Sequence, residues 1–224
     1  MARTKALRRV DKTPLIFHTT PMTLADKITA SRLIFAPCFF IVYILHIIVP
    51  SAIGPLLVPA AAPWTVPVLW ALFFITELTD LVDGKIARSR KEVSDFGKLF
   101  DPFADTLVWL TFFLCFVADR ILPVIPFLVI LYREFGILFV RNLMLKKGIA
   151  MGARKGGKIK AFGYMVTGIA ALLASSVQRL GIEGPYFDVF RIAALAFFIV
   201  SVIISLISFA DYISVYKQAG TEGK

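Results

Sequence analysis

The sequence has few of the residues that build disulfide frameworks or metal clusters, with two cysteines and two histidines among 224 residues. Cys38 and Cys115 lie in apolar runs, and His18 and His46 are isolated from any cysteine or histidine partner, so a disulfide scaffold is excluded and neither histidine is a predicted metal ligand. Charge is also scarce, since charged residues make up 18% of the chain and none occurs from 33 to 76 or from 192 to 210. Because about 20 apolar residues cross a bilayer, these stretches exclude an ordinary soluble enzyme and predict an integral membrane protein.

The apolar runs predict an all-α integral membrane protein with six transmembrane helices. The predicted helices cover residues 27–49, 66–88, 97–118, 122–146, 158–179 and 187–215. Most of the 25 lysines and arginines lie in 1–32, 84–98, 144–160 and 216–224, at one set of helix ends. The positive-inside rule therefore predicts that both termini are cytoplasmic, and an even number of spans agrees with this.

One domain, residues 27–216, is expected between a basic N-terminal segment, 1–26, and a short C-terminal tail, 217–224. Two alternatives are open for 1–26. It is either an interfacial segment, such as a helix lying on anionic lipid, or a partly disordered tail that sets the topology. The predicted location is the cytoplasmic (inner) membrane of the cell, in which the chain is a multi-pass protein.

Four aspartates are predicted to meet near the cytoplasmic ends of the second and third helices. Asp80 and Asp83 are spaced i and i+3, and Asp101 and Asp105 are spaced i and i+4, so each pair occupies one helix face. An aspartate at the centre of a transmembrane helix costs about 2.5–3.5 kcal/mol, and less toward the ends, so positive charge is expected among the four. Two divalent cations, Mg²⁺ or Mn²⁺, are the favoured answer because they prefer oxygen ligands. The alternative is pairing with neighbouring lysines and arginines.

Two small residues, Gly84 and Ala87, share the helix face of Asp80 and Asp83. They leave room for a bulky ligand to approach the backbone, although close helix packing is the alternative explanation for such residues. Arg88, one turn beyond Gly84, is placed to meet a phosphate at the cytoplasmic boundary.

Residues 80–105 read DLVDGKIARSRKEVSDFGKLFDPFAD. They fit the pattern D-x2-D-G-x2-A-R-x8-G-x3-D-x3-D, so the chain resembles the CDP-alcohol phosphotransferase family. The resemblance implies a six-helix membrane fold, a homodimer, and transfer of a phosphatidyl or similar group from a CDP-linked donor to an alcohol, with release of CMP. It also implies that the four aspartates bind two divalent metals and that Asp105 is the catalytic base for the acceptor hydroxyl. The nucleotide-binding residues that it implies are Thr29, Asp80, Gly84, Ala87, Arg88 and Gly97.

Basic residues in the fourth and fifth predicted helices suggest a second site. Arg133 lies about 20 Å along the helix from Lys146, too far for its charge to be explained by snorkelling. Two alternatives are open: an ion pair with Glu134 or with the aspartates, or a pocket for an anionic acceptor. The residues of the predicted acceptor-phosphate pocket are Arg133, Arg141, Lys158 and Lys160.

Three segments, YREFGILFVR (132–141), KKG (146–148) and GKIK (157–160), resemble the phosphatidylglycerophosphate synthase branch of the family. So does TLADKITASRLIFAP (23–37), in which Thr29 and Arg32 keep the places of the branch pattern P-N-x-x-T-x-x-R, while Ala25 and Asp26 replace Pro-Asn. The branch implies that CDP-diacylglycerol and sn-glycerol 3-phosphate give phosphatidylglycerophosphate and CMP.

Other acceptors and another class of protein are alternatives to this function. Inositol phosphate is an alternative acceptor for the same basic pocket, and serine, which has no phosphate, is less favoured. A cation transporter is the alternative from another class, although it does not need Gly84, Ala87 and Arg88. No nucleic-acid partner is expected.

Overall fold

The computed structural model describes residues 7–9, 22–53, 63–90, 95–146, 149–151, 155–182 and 184–221. Six helices account for most of them, which confirms the predicted number, and their ends differ from the predicted ends by a few residues. The helices are α1 (Leu24–Ile53), α2 (Thr65–Arg90), α3 (Asp95–Ala118), α4 (Val124–Lys146), α5 (Lys155–Arg179) and α6 (Tyr186–Thr221).

Five of the six helices are long and apolar enough to cross a membrane. The exception is α4, which is long enough but carries Arg133, Glu134 and Arg141 in its central turns. The prediction of six apolar spans is therefore confirmed for five helices. Arg133 and Glu134 are buried, so α4 turns its charges into the protein and away from the surroundings of the bundle.

A two-stranded antiparallel sheet accompanies the six helices. Strand β1 (Leu7–Arg9) pairs with β2 (Ile149–Met151), and Leu7 is opposite Met151. Of the predicted N-terminal segment 1–26, the structure describes residues 7–9, which form this strand, and residues 22–26, which lead into α1. The two alternatives for the segment, an interfacial segment or a tail, stay predictions. A strand this short depends on main-chain pairing with a distant segment, so the residues around Leu7 do not predict it.

The start of α1 is fixed by a reciprocal cap. The Asp26 N–H donates to Thr23 Oγ1 at 3.2 Å, and the Thr23 N–H donates to Asp26 Oδ2 at 3.0 Å. This arrangement satisfies two backbone N–H groups that a helix N-terminus otherwise leaves without partners. The cap sets where α1 begins, and with it the inward positions of Thr29 and Arg32, both of which are buried.

Aromatic side chains from several helices fill the interior. The Phe39 ring of α1 lies 4.5 Å from the Phe112 ring of α3, and the Phe73 ring of α2 lies 5.3 Å from Phe112, measured between centroids. The Trp109 ring of α3 lies 5.7 Å from the Tyr164 ring of α5. Such pairs add to the burial of apolar area and hold α1, α2, α3 and α5 in register with one another.

Glycines allow the second half of the bundle to pack closely. A methyl group added at Gly168 of α5 would lie 2.9 Å from the Phe73 ring, and one added at Gly163 would lie 2.5 Å from Ser201 Oγ of α6. Small residues at membrane helix crossings permit this close approach of the backbones. Gly163 thus permits close packing of α5 along α6, and Gly168 permits the approach of α5 to α2. In the first half of the bundle, α1 lies against α2 and α3.

A buried polar cluster ties the helices together near the C-terminal ends of α3 and α5. Arg179 donates to Ser175 Oγ at 3.0 Å, to Thr65 Oγ1 at 3.0 Å and to the Tyr43 carbonyl oxygen at 2.9 Å. The Tyr43 hydroxyl donates to Asp119 Oδ2 at 2.7 Å. Buried charged groups need such partners to offset the loss of their hydration.

Candidate active site

The four predicted aspartates are brought together around two side chains of α1. The first is Thr29, whose Oγ1 lies 2.7 Å from Asp83 Oδ2 on α2 and 2.8 Å from Asp101 Oδ1 on α3. Thr29 is fully buried, so it lies beneath the carboxylates as seen from solvent. The same hydroxyl therefore links the aspartate pairs that the sequence placed on two different helices.

The second side chain is Arg32, one turn further along α1. Its NH1 group donates to Asp80 Oδ1 at 2.7 Å and also to Asp105 Oδ1, and its NH2 group donates to Asp83 Oδ2 at 2.6 Å. The Arg32 side chain is 2% exposed, whereas those of Asp80 and Asp105 are 50% and 47% exposed. The guanidinium thus supports the carboxylates from the protein side and leaves two of them open to a ligand.

The cluster remains strongly acidic with Arg32 in place, because one guanidinium cannot balance four carboxylates. The Thr29 hydroxyl has a single proton, yet the Ala25 carbonyl, Asp83 and Asp101 all lie within 3.2 Å of it. At most one of these oxygens receives that proton, so further positive charge is needed.

Carboxylate oxygens in such an arrangement fit Mg²⁺ or Mn²⁺. Within the described residues, however, no group of three or more aspartate, glutamate, histidine or cysteine side chains is arranged around one metal position. Arg32 lies at the point where the carboxylates converge, and it supplies one of the positive charges expected there.

A cavity of about 410 Å³ opens beside the aspartates and extends to α4, α5 and α6. Asp80, Asp101 and Asp105 line it. So do the three cations of the predicted acceptor pocket whose side chains the structure describes, Arg133, Arg141 and Lys160. The side chain of the fourth, Lys158, lies outside the described residues. The aspartates and the basic residues therefore face one shared cavity.

Glu134 organises two of these cations. Its Oε1 accepts hydrogen bonds from Arg133 NH1 at 2.8 Å, Lys160 Nζ at 2.9 Å and the Tyr164 hydroxyl at 2.9 Å. Arg133 Nε also donates to the Ser205 carbonyl oxygen at 3.0 Å. The ion pair that the sequence left open for Arg133 is thus present, with Glu134 as the partner. Arg133 nevertheless lines the cavity, so the two alternatives do not exclude each other.

Arg141, about two turns along α4 from Arg133, presents an unsatisfied donor. Its NH2 group donates to the Tyr212 hydroxyl at 3.1 Å, but its Nε is buried without a hydrogen-bond partner. A buried donor left unpaired is costly. Because Arg141 lines the cavity, its positive charge is also placed to attract an anion there. Arg133, Arg141 and Lys160 against Glu134 give this wall a net formal charge of +2, which matches a dianionic phosphate monoester.

The predicted nucleotide-binding residues are only partly described. Gly84 lies on α2 one turn beyond Asp80, and Gly97 is buried in the first turn of α3. The side chains of Ala87 and Arg88 lie outside the described residues.

Sequence reasoning did not assign several cavity residues. Trp109, Tyr164 and Tyr212 line the cavity, but each occurs in an apolar helical pattern typical of core residues, and nothing in that pattern distinguishes them. In the sequence, the branch pattern P-N-x-x-T-x-x-R points to Arg32. A signal was present for it, since an arginine near the end of an apolar span is expected to have a charged partner.

Fold and site together define a helical membrane protein with an acidic cluster that opens into a cation-lined cavity. Residues 22–207 match the family model described as CDP-alcohol phosphatidyltransferase. The chain belongs to this family, and it is therefore a membrane-embedded enzyme of phospholipid synthesis. Membership excludes the alternative of a cation transporter.

Similar proteins include the CDP-diacylglycerol--glycerol-3-phosphate 3-phosphatidyltransferases of two bacteria. The Treponema pallidum protein is 36% identical over 198 residues, which are 87% of this chain and 89% of the relative. The Bacillus subtilis protein is 31% identical over 182 residues, which are 80% of this chain and 90% of the relative. A Mycobacterium tuberculosis protein named probable phosphatidylglycerophosphate synthase is 30% identical over 149 residues, 66% of this chain and 65% of the relative.

Proposed function

We propose that the enzyme transfers the phosphatidyl group of CDP-diacylglycerol to sn-glycerol 3-phosphate, giving phosphatidylglycerophosphate and CMP. The observation that carries the proposal is the shared cavity, in which the aspartates adjoin a wall of net charge +2. An acceptor that has both a hydroxyl and a phosphate matches these two features. The names of the similar proteins support the same pair of substrates.

In this proposal Asp105 accepts the proton of the 1-hydroxyl of glycerol 3-phosphate, since it lines the cavity and is half-exposed. The hydroxyl oxygen forms a bond to the phosphorus of the phosphatidyl group, and the bond from that phosphorus to the bridging oxygen of CMP breaks. Thr29 and Arg32 hold the four carboxylates in place from beneath.

Two divalent cations, Mg²⁺ or Mn²⁺, held by Asp80, Asp83, Asp101 and Asp105, would neutralise charge on the pyrophosphate and on the leaving CMP. The carboxylate oxygens are suitable metal ligands, and the cluster has more negative than positive charge; both observations support this assignment. Gly84, Ala87, Arg88 and Gly97, which follow Asp83 on α2 or precede Asp101 on α3, are proposed to contact the nucleotide and its phosphates.

The acceptor phosphate is proposed to bind between the α4 arginines and the basic start of α5. Arg141 contributes its charge from the cavity wall, and Arg133 and Lys160 contribute theirs from positions fixed by Glu134. Lys158 is proposed to join them. Charge-assisted hydrogen bonds of this kind are stronger than neutral ones, which favours a phosphorylated acceptor over serine.

The proposed setting is the cytoplasmic membrane, with the site facing the cytoplasm. The basic segments around the aspartate ends of α2 and α3 support this orientation through the positive-inside rule. It also gives a soluble acceptor and nucleotide access to the cavity while the acyl chains of the donor remain in lipid.

The test measures CMP release by the purified protein with CDP-diacylglycerol and Mg²⁺, with one acceptor at a time. Glycerol 3-phosphate is compared with glycerol, and inositol phosphate with inositol, so each pair differs by one phosphate; serine completes the series. Release with glycerol 3-phosphate alone is expected. Release with inositol phosphate alone would change the acceptor but retain the anion pocket, whereas release with serine or inositol would contradict the pocket itself.

A further inference from the structure

Glu134 is an acidic residue in the part of the cavity wall where the other charged groups are cations. It is 4% exposed and lines the cavity. Its three hydrogen bonds, from Arg133, Lys160 and Tyr164, all go to Oε1. Oε2 makes no hydrogen bond to the described residues, and it is not fully buried. It therefore remains accessible to a donor from the cavity.

The donor that fits Oε2 is a hydroxyl group, because a carboxylate repels the oxygens of a phosphate. Glycerol 3-phosphate has three functional groups in a row: the reacting 1-hydroxyl, the 2-hydroxyl and the 3-phosphate. The two ends are accounted for by Asp105 and by the arginines of α4. The 2-hydroxyl is the group that still lacks a partner.

The position of Glu134 suits the middle group. Lys160 Nζ lies 2.9 Å from Glu134 Oε1, and Lys160 lines the same cavity as Asp105. On the other side, Arg133 precedes Glu134 in α4 and contacts it at 2.8 Å. Glu134 thus shares the cavity with Asp105 and directly contacts two of the proposed phosphate-binding cations.

We propose that Glu134 determines acceptor specificity by accepting a hydrogen bond from the 2-hydroxyl of glycerol 3-phosphate through Oε2. This inference rests on the proposed function. An acceptor without that hydroxyl leaves a buried, charged acceptor atom unpaired in the complex. Sites that bind a substrate hydroxyl in this way discriminate strongly against analogues that lack it.

The experiment compares glycerol 3-phosphate with 3-hydroxypropyl phosphate, which lacks only the 2-hydroxyl. The ratio of kcat/KM for the two acceptors is measured by CMP release. We expect wild-type protein to prefer glycerol 3-phosphate by at least about a hundredfold. Glu134→Gln keeps an oxygen for the donors of Arg133, Lys160 and Tyr164 but removes the charge, and it should lower the ratio about tenfold.

Glu134→Asp is the second variant, because it keeps the charge but withdraws the carboxylate by one methylene group, and it should also lower the ratio. Asp119→Asn is the matched control. It makes the same carboxylate-to-amide change at a buried site that does not line the cavity, so the ratio should stay at the wild-type value.

The outcomes separate the two proposals. If wild-type protein releases no CMP with glycerol 3-phosphate, the proposed function fails, and this inference fails with it. If wild-type protein is active but does not discriminate between the two acceptors, the inference alone is wrong. The same holds if both Glu134 variants lose activity equally on the two acceptors, since Glu134 would then only position Arg133 and Lys160.

Discussion

Replacing Arg141 by alanine removes the cation whose contacts are least involved in holding the fold together. Arg133 pairs with a buried carboxylate, so its loss would also disturb Glu134. Among the described residues, Arg141 makes one hydrogen bond, to the Tyr212 hydroxyl, and its Nε is buried without a partner. The change is therefore expected to act on the acceptor more than on the protein.

The size of the effect follows from the bond that is lost. A hydrogen bond to a charged group contributes about 1.5–3 kcal/mol. Since about 1.4 kcal/mol corresponds to a factor of ten, kcat/KM for glycerol 3-phosphate should fall about 10- to 150-fold in Arg141→Ala. Most of the change should appear in KM, because the phosphate is bound equally in the ground state and in the transition state.

The assay follows CMP release while either the acceptor or CDP-diacylglycerol is varied. The KM for CDP-diacylglycerol should change by less than about threefold, because the proposed nucleotide contacts lie on α2 and α3. Arg191→Ala is the matched control, since it removes a half-exposed arginine of α6 whose described contacts, with Asp188 and the Phe187 ring, lie away from the acidic cavity. Equal increases in both KM values, or no change in either, would refute the role of Arg141 in binding the acceptor.

Three further predictions concern the site and the fold. Asp105→Asn should lower CMP release at least about a hundredfold while thermal melting stays cooperative; retained turnover would remove Asp105 as the base. Chelation by EDTA should abolish CMP release and added Mg²⁺ or Mn²⁺ should restore it, and full activity in EDTA would refute the metal requirement. Gly168→Ala should lower the free energy of unfolding by about 1–3 kcal/mol, because the methyl group would crowd Phe73. Gly157→Ala should not lower it, because no atom of the described residues lies within 4 Å of the added methyl group, and equal losses in both variants would contradict the packing argument.

The sequence predicts the helices well because long apolar runs leave little choice of structure. It also predicts that Asp80, Asp83, Asp101 and Asp105 converge, since antiparallel neighbours bring their ends to one depth. In α4 the same reasoning overestimates how apolar the helix is. Partners on α5 and α6 accommodate the charges of Arg133, Glu134 and Arg141. The residue pattern of α4 alone does not predict which helices will supply those partners.

The sequence does not predict which buried side chains contact the charged residues of the site. Arg32 meets three aspartates because the capped start of α1 places it against α2 and α3. Glu134 is joined by Lys160 and Tyr164 because α5 lies beside α4 at that depth. Each contact depends on the relative rotation and height of two helices, which small changes in packing determine.

The most direct test of the account identifies the lipid that is formed. Purified protein is given CDP-diacylglycerol, Mg²⁺ and glycerol 3-phosphate labelled with ¹⁸O at the 1-hydroxyl, and the lipid and the CMP are analysed by mass spectrometry. We expect phosphatidylglycerophosphate that carries the label, in equal amount to unlabelled CMP, because the acceptor hydroxyl attacks phosphorus. Label in CMP, or CMP release without any labelled lipid, would contradict phosphatidyl transfer to glycerol 3-phosphate.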